Sequence, residues 1–133
     1  MCLRLQKIRD VAQACCAAAQ VLHAAGLVHR DFREPNVVSL APGKCMVIDL
    51  EMAAEADLVL PADFILTGWD NSTLEVCGSE RRYTRMSDMY QIGCMLERMG
   101  QGRLNEQARQ FVALLKAKEL TATAALAHLY IAG

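Results

Sequence analysis

The first long pattern along the chain is a stripe of apolar residues between positions 8 and 25. Apolar side chains recur there at steps of three and four, which is the spacing of one face of an α-helix. Gly26 follows the stripe, and a glycine at this place favours the left-handed turn that ends many helices. The pattern therefore predicts a buried helix over 8–25.

Short apolar runs follow, and they are too brief for helices. Residues 37–40 and 45–48 are two such runs, and the intervening residues 41–44 contain a Pro-Gly pair that is typical of a turn. We expect a β-hairpin. Because its strands are antiparallel, Asn36 before the first strand and Asp49 after the second lie at the same end.

Oxygen-bearing side chains therefore converge at the open end of the predicted hairpin. An amide oxygen from Asn36 and a carboxylate from Asp49 are suitable ligands for a hard cation such as Mg²⁺. Asp31 lies on the loop just before and could accept a proton from a hydroxyl nucleophile. These three residues form the candidate site.

The second half of the chain contains two further helical stretches. Residues 87–99 are almost wholly apolar after Ser87, which can cap a helix, and Asp88, whose charge suits the positive end of the helix dipole. Gly93 permits close approach of a second backbone. A break at 100–102 follows, and a final helical region is predicted from Phe111 to His128.

Two polar stretches lie between these helices and the hairpin. Residues 52–72 have little periodicity and read as a long loop, and such loops are often functional. We expect Trp69, the only tryptophan, to be a packing anchor there. We expect the basic cluster at 80–85 to form a solvent-exposed face of the protein.

Composition and charge narrow the classes of partner. The chain has 133 residues, of which 53% are hydrophobic, and a net charge of −1, so its charge indicates no nucleic acid or anionic membrane as a partner. No apolar run is long enough to span a membrane, and the start lacks the apolar region of a signal peptide. We expect an intracellular protein, cytoplasmic by default.

The cysteines predict a reducing compartment. None forms a C-x-x-C pair or lies at zinc-like spacing from a histidine, so they read as small hydrophobic residues. The six are Cys2, Cys15, Cys16, Cys45, Cys77 and Cys94.

The segment 29–36, which begins His-Arg-Asp and ends in Asn36, resembles the catalytic loop of protein kinases, H-R-D-x-x-x-x-N. The D-L-E at 49–51 stands where that family has D-F-G. The resemblance implies that Asp31 is the catalytic base and that Asn36 and Asp49 bind Mg²⁺. It also implies ATP as the phosphoryl donor.

Further roles follow from the same resemblance. Arg33 is implied as a cation near the transferred phosphoryl group, and Val38 as part of the floor under the adenine. His29 and Arg30 are implied as supports of the loop. Asp88 opens a stretch similar to the kinase helix that begins D-V-Y-S-F-G, whose acid bonds to the backbone of the catalytic loop.

The rest of the chain extends the resemblance. Residues 52–75 fall where kinases have the activation segment, and 120–128 resemble their last helix, with its T-A-x-x-A-L-x-H pattern. Glu119 stands where an arginine usually pairs with the acid equivalent to Glu75, so Glu75 lacks its usual partner unless Lys118 substitutes. Candidates for phosphorylation in the segment are Thr67, Ser72 and Thr73.

The resemblance covers almost all of 1–133 but only half of the kinase domain. It implies a single partial domain, mainly α with a small β-hairpin region: a kinase-like C-lobe lacking the N-lobe. No glycine-rich loop, lysine strand or glutamate-bearing helix precedes residue 29. We therefore expect weak Mg-ATP binding and negligible turnover. The chain would be a fragment, or a degenerate lobe whose open face is covered by a partner protein.

Two alternatives to a protein kinase stay open. The run at 48–53 is also similar to the I-D-x-E-x-A of small-molecule kinases of the aminoglycoside and choline type. Arg30, the Asp88 helix and the 120–128 ending favour phosphoryl transfer to a protein hydroxyl, serine or threonine before tyrosine. A non-catalytic pseudokinase binding module is the other alternative.

Overall fold

A computed structural model describes residues 3–133, and Cys2 lies outside the described residues. Close to half of this part is helical. The elements in chain order are α1 Leu3–Ala24, β1 Leu27–Val28, β2 Val37–Ala41, β3 Lys44–Val47, β4 Ala54–Glu55, β5 Glu75–Cys77, β6 Glu80–Arg82, α2 Arg85–Gly100, α3 Glu106–Lys116, α4 Ala122–Ala127 and α5 Leu129–Ala132.

The first helix is longer than its apolar stripe predicts. α1 begins at Leu3 rather than at residue 8, because residues 3–7 are good helix formers and contain no breaker. It ends at Ala24, and Gly26 has a φ of +77°. The predicted left-handed turn at Gly26 is confirmed.

One hydrophobic core joins the helices. α1 lies against α2, α4 and α5, and α3 lies against α2 and α5, with the buried side chains between them. Gly93 on α2 permits the close approach to α3, because a Cβ there would lie 2.9 Å from Cγ of Lys116 and 3.0 Å from Cβ of Leu115. The larger buried members of this core are Ile8, Val11, Phe32, Met89, Ile92, Leu96, Phe111 and Leu115.

Two helix boundaries differ from the sequence prediction. α2 begins at Arg85, with Thr84 as its N-cap and Ser87 as the reciprocal partner of a capping box, so Ser87 lies inside the helix. The final helical region is three helices, because Asn105, Thr121 and His128 each accept a hydrogen bond at a new helix start.

Three two-stranded antiparallel sheets complete the described part of the chain. The predicted hairpin is confirmed as β2–β3, with Val37 opposite Val47 and a turn at Gly43, whose φ is +78°. The pairs β1–β4 and β5–β6 were not predicted. Their strands have only two or three residues, which is too short to show an alternating pattern.

The basic cluster at 80–85 is not a solvated face, so that prediction was wrong. Arg81 donates hydrogen bonds to the backbone oxygens of Pro61, Ala62 and Phe64, at 2.9–3.1 Å. Arg82 donates one to the backbone oxygen of Asp57. The arginines therefore fasten the segment 52–75, whose backbone carbonyls face them.

A second, smaller core lies beneath that segment. It consists of Val28, Leu66, Leu74 and Tyr83. Trp69 is partly buried and packs against this core, as expected of a packing anchor. Among the candidate phosphorylation sites, Thr73 is fully buried and is thus inaccessible in the folded chain. Thr67 and Ser72 are exposed.

The overall architecture agrees with the predicted class of a mainly α chain with a small hairpin region. None of the helices within residues 3–133 has the length and apolar character needed to cross a membrane.

Candidate active site

The loop 29–36 begins against a buried carboxylate. Asp88, in the first turn of α2, has no exposed surface and accepts hydrogen bonds from the backbone amides of His29 at 2.9 Å and Arg30 at 3.0 Å. Bonds to a charged acceptor are about twice as strong as neutral ones. The helix thus fixes the start of the loop through its backbone.

A second side chain of α2 continues this support, and the sequence reasoning missed it. Gln91 is fully buried, its Oε1 accepts from the amide of Phe32 at 2.9 Å, and its Nε2 donates to the backbone oxygen of Arg30 at 3.1 Å. The available signal was a lone amide in an apolar helix, three residues after Asp88 and so on the same face.

Two more groups surround the buried Asp88 carboxylate. His23 Nε2, at the end of α1, lies 2.8 Å from Asp88 Oδ2, and the hydroxyl of Tyr83 donates to Oδ1. Burial, and next the charge of Asp88, raise the pKa of Tyr83 well above its usual value. The phenol therefore keeps its proton and remains a donor.

The ring of His29 connects the loop to the hairpin. Its Nδ1 accepts from the amide of Asp31 at 3.1 Å, and its Nε2 lies 3.3 Å from the backbone oxygen of Ile48. An amide can only donate and a carbonyl can only accept, so the tautomer protonated on Nε2 satisfies both. The ring is buried and stacks on Phe32, with 4.5 Å between the centroids.

Asp31 lies at the centre of a small polar cluster. Its Oδ2 accepts from Nδ2 of Asn36 at 2.8 Å, its Oδ1 pairs with Nε of Arg33, and its backbone oxygen accepts a second bond from Asn36 at 2.9 Å. Each carboxylate oxygen has a further lone pair. The carboxylate is thus oriented and can still accept a hydroxyl proton.

Arg33 is positioned by the segment 67–69 as well as by Asp31. It donates to the backbone oxygen of Thr67 at 2.9 Å and lies over the ring of Trp69, 5.4 Å from the centroid. Glycine is favoured at position 68 because its φ is +83°, and a Cβ there would also lie 3.1 Å from Nη1 of Arg33, so the guanidinium would have to shift.

The two implied Mg²⁺ ligands lie at the same end of the hairpin. The amide of Ile48, next to Asp49, donates to the backbone oxygen of Asn36 at 2.8 Å. Both side-chain hydrogen bonds of Asn36 use Nδ2, which leaves Oδ1 for a cation. The carboxylate of Asp49 is exposed, and its Oδ1 accepts from the amide of Glu51 at 3.2 Å.

An amide oxygen with a carboxylate fits Mg²⁺, which prefers oxygen ligands and usually keeps water or phosphate as well. Within residues 3–133, no group of three or more His, Cys, Asp or Glu side chains is placed to hold a metal alone. Oxygens from water or a nucleotide would therefore have to complete the coordination.

Backbone strain occurs in the loop 29–36 and in the turn 49–51. Arg30 has a φ of 73° and Asp49 a φ of 64°, which is the left-handed region that residues other than glycine seldom adopt. Such conformations persist where the surrounding structure imposes them, often at functional sites. The side chain of Arg30 donates to the backbone oxygen of Met52 at 2.6 Å and lies 5.2 Å from the ring centroid of Phe64.

Val38 lies on the outer face of the hairpin. It is paired with Met46 across the strands, whereas Val37 and Val47 face the core. Met46 is 46% exposed, so Val38 and Met46 offer an apolar surface beside Asn36 and Asp49. This is the surface on which the resemblance would place an adenine ring.

Known proteins with a sequence similar to this chain include protein kinases. No protein-family model matches the chain. It is 27% identical over 99 residues to mitogen-activated protein kinase 12 of Mus musculus, covering 71% of this chain and 26% of the relative. For mitogen-activated protein kinase 17 of Arabidopsis thaliana, the identity is 31% over 88 residues, 62% of this chain and 18% of the relative.

Mitogen-activated protein kinase 13 of Homo sapiens is 26% identical over 98 residues, which cover 74% of this chain and 26% of the relative. The chain therefore spans about a quarter or less of the length of these curated relatives. These similarities relate the chain to the protein kinase superfamily, and they extend over only a part of each relative.

Proposed function

We propose that the chain provides the catalytic base and the Mg²⁺ ligands of a protein kinase. Such an enzyme transfers a phosphoryl group from Mg-ATP to a protein hydroxyl. Serine and threonine are the acceptors to test first. One observation supports this most strongly: Asp31, Arg33 and Asn36 form a hydrogen-bonded cluster on a loop that Asp88 and Gln91 hold from behind.

Asp31 is the general base in this proposal. Mg-ATP, when bound, supplies the phosphoryl group and leaves as ADP. Asp31 takes the proton that the acceptor hydroxyl loses while the hydroxyl oxygen bonds to phosphorus. Arg33 holds Asp31 in place through Nε and supplies positive charge beside it. Positioning and charge account for most phosphoryl-transfer catalysis, so a rigid loop is the main requirement.

The metal side is formed by Asn36 and Asp49. Oδ1 of Asn36 and the Asp49 carboxylate would hold the Mg²⁺, and the outer face of Val38 and Met46 would receive the adenine. The named relatives are protein kinases rather than small-molecule kinases, which supports a protein acceptor.

Labelled phosphate transfer tests the proposal. The chain is joined to the nucleotide-covering lobe of the mouse relative and given peptide, aminoglycoside and choline acceptors side by side. Asp31→Asn should lower the transfer rate by roughly 10²–10⁴-fold, the usual contribution of a general base. Asp63→Asn, at an exposed aspartate outside the site, is the matched control and should change nothing. Full transfer with Asp31→Asn would end the assignment.

A non-catalytic binding module is the second candidate, and an exposed surface favours it. Leu40, Met46, Leu50 and Met52 are apolar and 37–62% exposed near the hairpin. A partner protein that covers this surface would bury them. In that case Asp31→Asn leaves the contact intact, whereas Met46→Lys weakens it.

A further inference from the structure

A cavity of about 530 Å³ lies beside the candidate site. It opens where α1 and α2 meet the loop 33–37 and the segment 68–69. Its volume is within the range of roughly 300–1,000 Å³ that is usual for ligand sites. Arg33 connects the cavity to Asp31, because it lines the cavity and its Nε is bonded to the Asp31 carboxylate.

The floor of the cavity is apolar. Val11 of α1 and both Met95 and Met99 of α2 line it, and each is at most 5% exposed. The ring of Trp69 forms one side. Methionine side chains adapt to irregular apolar groups, so an aliphatic or aromatic side chain would be accommodated there.

The rim of the cavity is positively charged. Lys7 and Arg98 line it and are exposed, and neither takes part in an ion pair recorded for residues 3–133. Glu34 is the single acid among the lining residues. Arg33 on the inner wall is already paired with Asp31, so the charge of the rim is set by two cations against one anion, which favours an anionic occupant.

We propose that this cavity binds a segment of the acceptor protein in which an apolar residue is next to acidic residues. The proposal rests on the proposed function and names its substrate class. The apolar side chain fills the floor and the acids face Lys7 and Arg98. Because Arg33 borders both the cavity and Asp31, a segment bound there presents a neighbouring hydroxyl to the base.

Binding of synthetic peptides to the 133-residue chain tests the proposal without any need for catalysis. The probe is a fluorescein-labelled peptide with one serine, one leucine and two glutamates. Its binding is measured by fluorescence polarisation. Two matched peptides replace the glutamates by lysines or the leucine by glycine. We expect each replacement to weaken binding at least tenfold. Quenching of Trp69, the only tryptophan, reports that the peptide occupies this cavity.

Charge reversal at the rim is compared with charge reversal elsewhere. Arg98→Glu should weaken binding of the glutamate peptide at least tenfold and strengthen binding of the lysine peptide. The affinities of Arg98→Gln should lie between those of the parent and of Arg98→Glu. Arg103→Glu is the control, because Arg103 is exposed, close in sequence and outside the cavity. Circular dichroism verifies that all variants are folded.

Equal binding of the glutamate and lysine peptides, or equal weakening by Arg98→Glu and Arg103→Glu, would overturn the proposal. The outcome is separable from that of the proposed function. Asp31→Asn should lower phosphoryl transfer by roughly 10²–10⁴-fold and leave intact the preference of the cavity for the glutamate peptide over the lysine peptide. If transfer depends on Asp31 but the peptides do not bind, only the acceptor specificity proposed here is wrong.

Discussion

The two halves of the candidate site are held in different ways. The loop 29–36 is supported from beneath by Asp88 and Gln91, both fully buried, which bond to three of its amides and one of its carbonyls. The turn 49–51 is exposed, and Asp49 is bonded locally to the amide of Glu51. The base is therefore fixed by the fold, whereas the metal-binding carboxylate depends on its own turn.

This difference has a physical consequence for the proposed chemistry. A base must be held in a reactive geometry before the acceptor arrives, and a buried polar network achieves that at the cost of a desolvated charge. A metal ligand can be ordered by the metal itself, which bonds strongly to its carboxylate. We expect variants in the loop support to lower the free energy of unfolding and variants in the turn to affect mainly cation and nucleotide binding.

The largest effect is expected for Asp88→Asn. The substitution removes the buried charge and places an amide against the donors of His29, Arg30 and Tyr83. Breaking a buried charged network costs about 3–5 kcal/mol of unfolding free energy, measurable by urea unfolding. Asp49→Asn is the matched control and should stay within about 0.5 kcal/mol of the parent. Equal losses for the two would remove the distinction between the halves.

Gln91→Met should have the next largest effect. Methionine is of similar length but leaves the amide of Phe32 and the backbone oxygen of Arg30 without partners. An unsatisfied buried group costs about 1–3 kcal/mol. Gln110→Met removes an exposed glutamine bond on α3 and should be nearly neutral. If Gln91→Met were also neutral, Asp88 alone would hold the loop.

Alkaline pH should weaken the loop support by a smaller, graded amount. The pKa of Tyr83 is raised in the folded chain by burial and by Asp88, while in the unfolded chain it stays near 10. Its contribution to stability is therefore complete below about pH 10 and is lost as the pH rises above that value, at about 1.4 kcal/mol per pH unit.

Urea unfolding at pH 9, 10 and 11 measures this effect, and Tyr83→Phe tests its origin. Burial also raises the pKa of the Cys15 thiol and of the Tyr130 phenol, and it raises the pKa of Cys16 and of Tyr90 to about 12, so these groups contribute parallel losses. Tyr83→Phe should remove one part of the slope and leave the part that these groups cause. An unchanged slope in that variant would mean that Tyr83 is not involved.

The smallest effect on stability is expected for Glu51→Gly. Glu51 is exposed, and the bond to Asp49 uses its backbone amide, which glycine retains. The unfolding free energy should change by less than about 1 kcal/mol, mainly through backbone entropy. Calorimetric titration should nevertheless detect a change in Mg-ATP affinity, because a carboxylate near the cation is lost. A loss above 2 kcal/mol would show that the turn is as integral as the loop.

Local features of the sequence predicted a good part of this arrangement. The Pro-Gly turn predicted the hairpin, and the hairpin placed Asn36 near Asp49. The sequence left open whether Glu75 has a partner, and Lys118 bonds to it, with 2.6 Å between Nζ and Oε1. The contacts of Gln91, Arg81 and Arg82 were not predictable in this way. They depend on which carbonyls another segment presents, and that is a property of tertiary packing rather than of local pattern.

Amide hydrogen exchange on the 133-residue chain tests the central contrast most directly. The account predicts that the amides of His29, Arg30 and Phe32 exchange only with global unfolding, whereas that of Glu51 exchanges by local opening, at least 10²-fold faster. Similar exchange rates at Glu51 and at the three loop amides would contradict a base fixed by the fold beside a loosely held metal ligand.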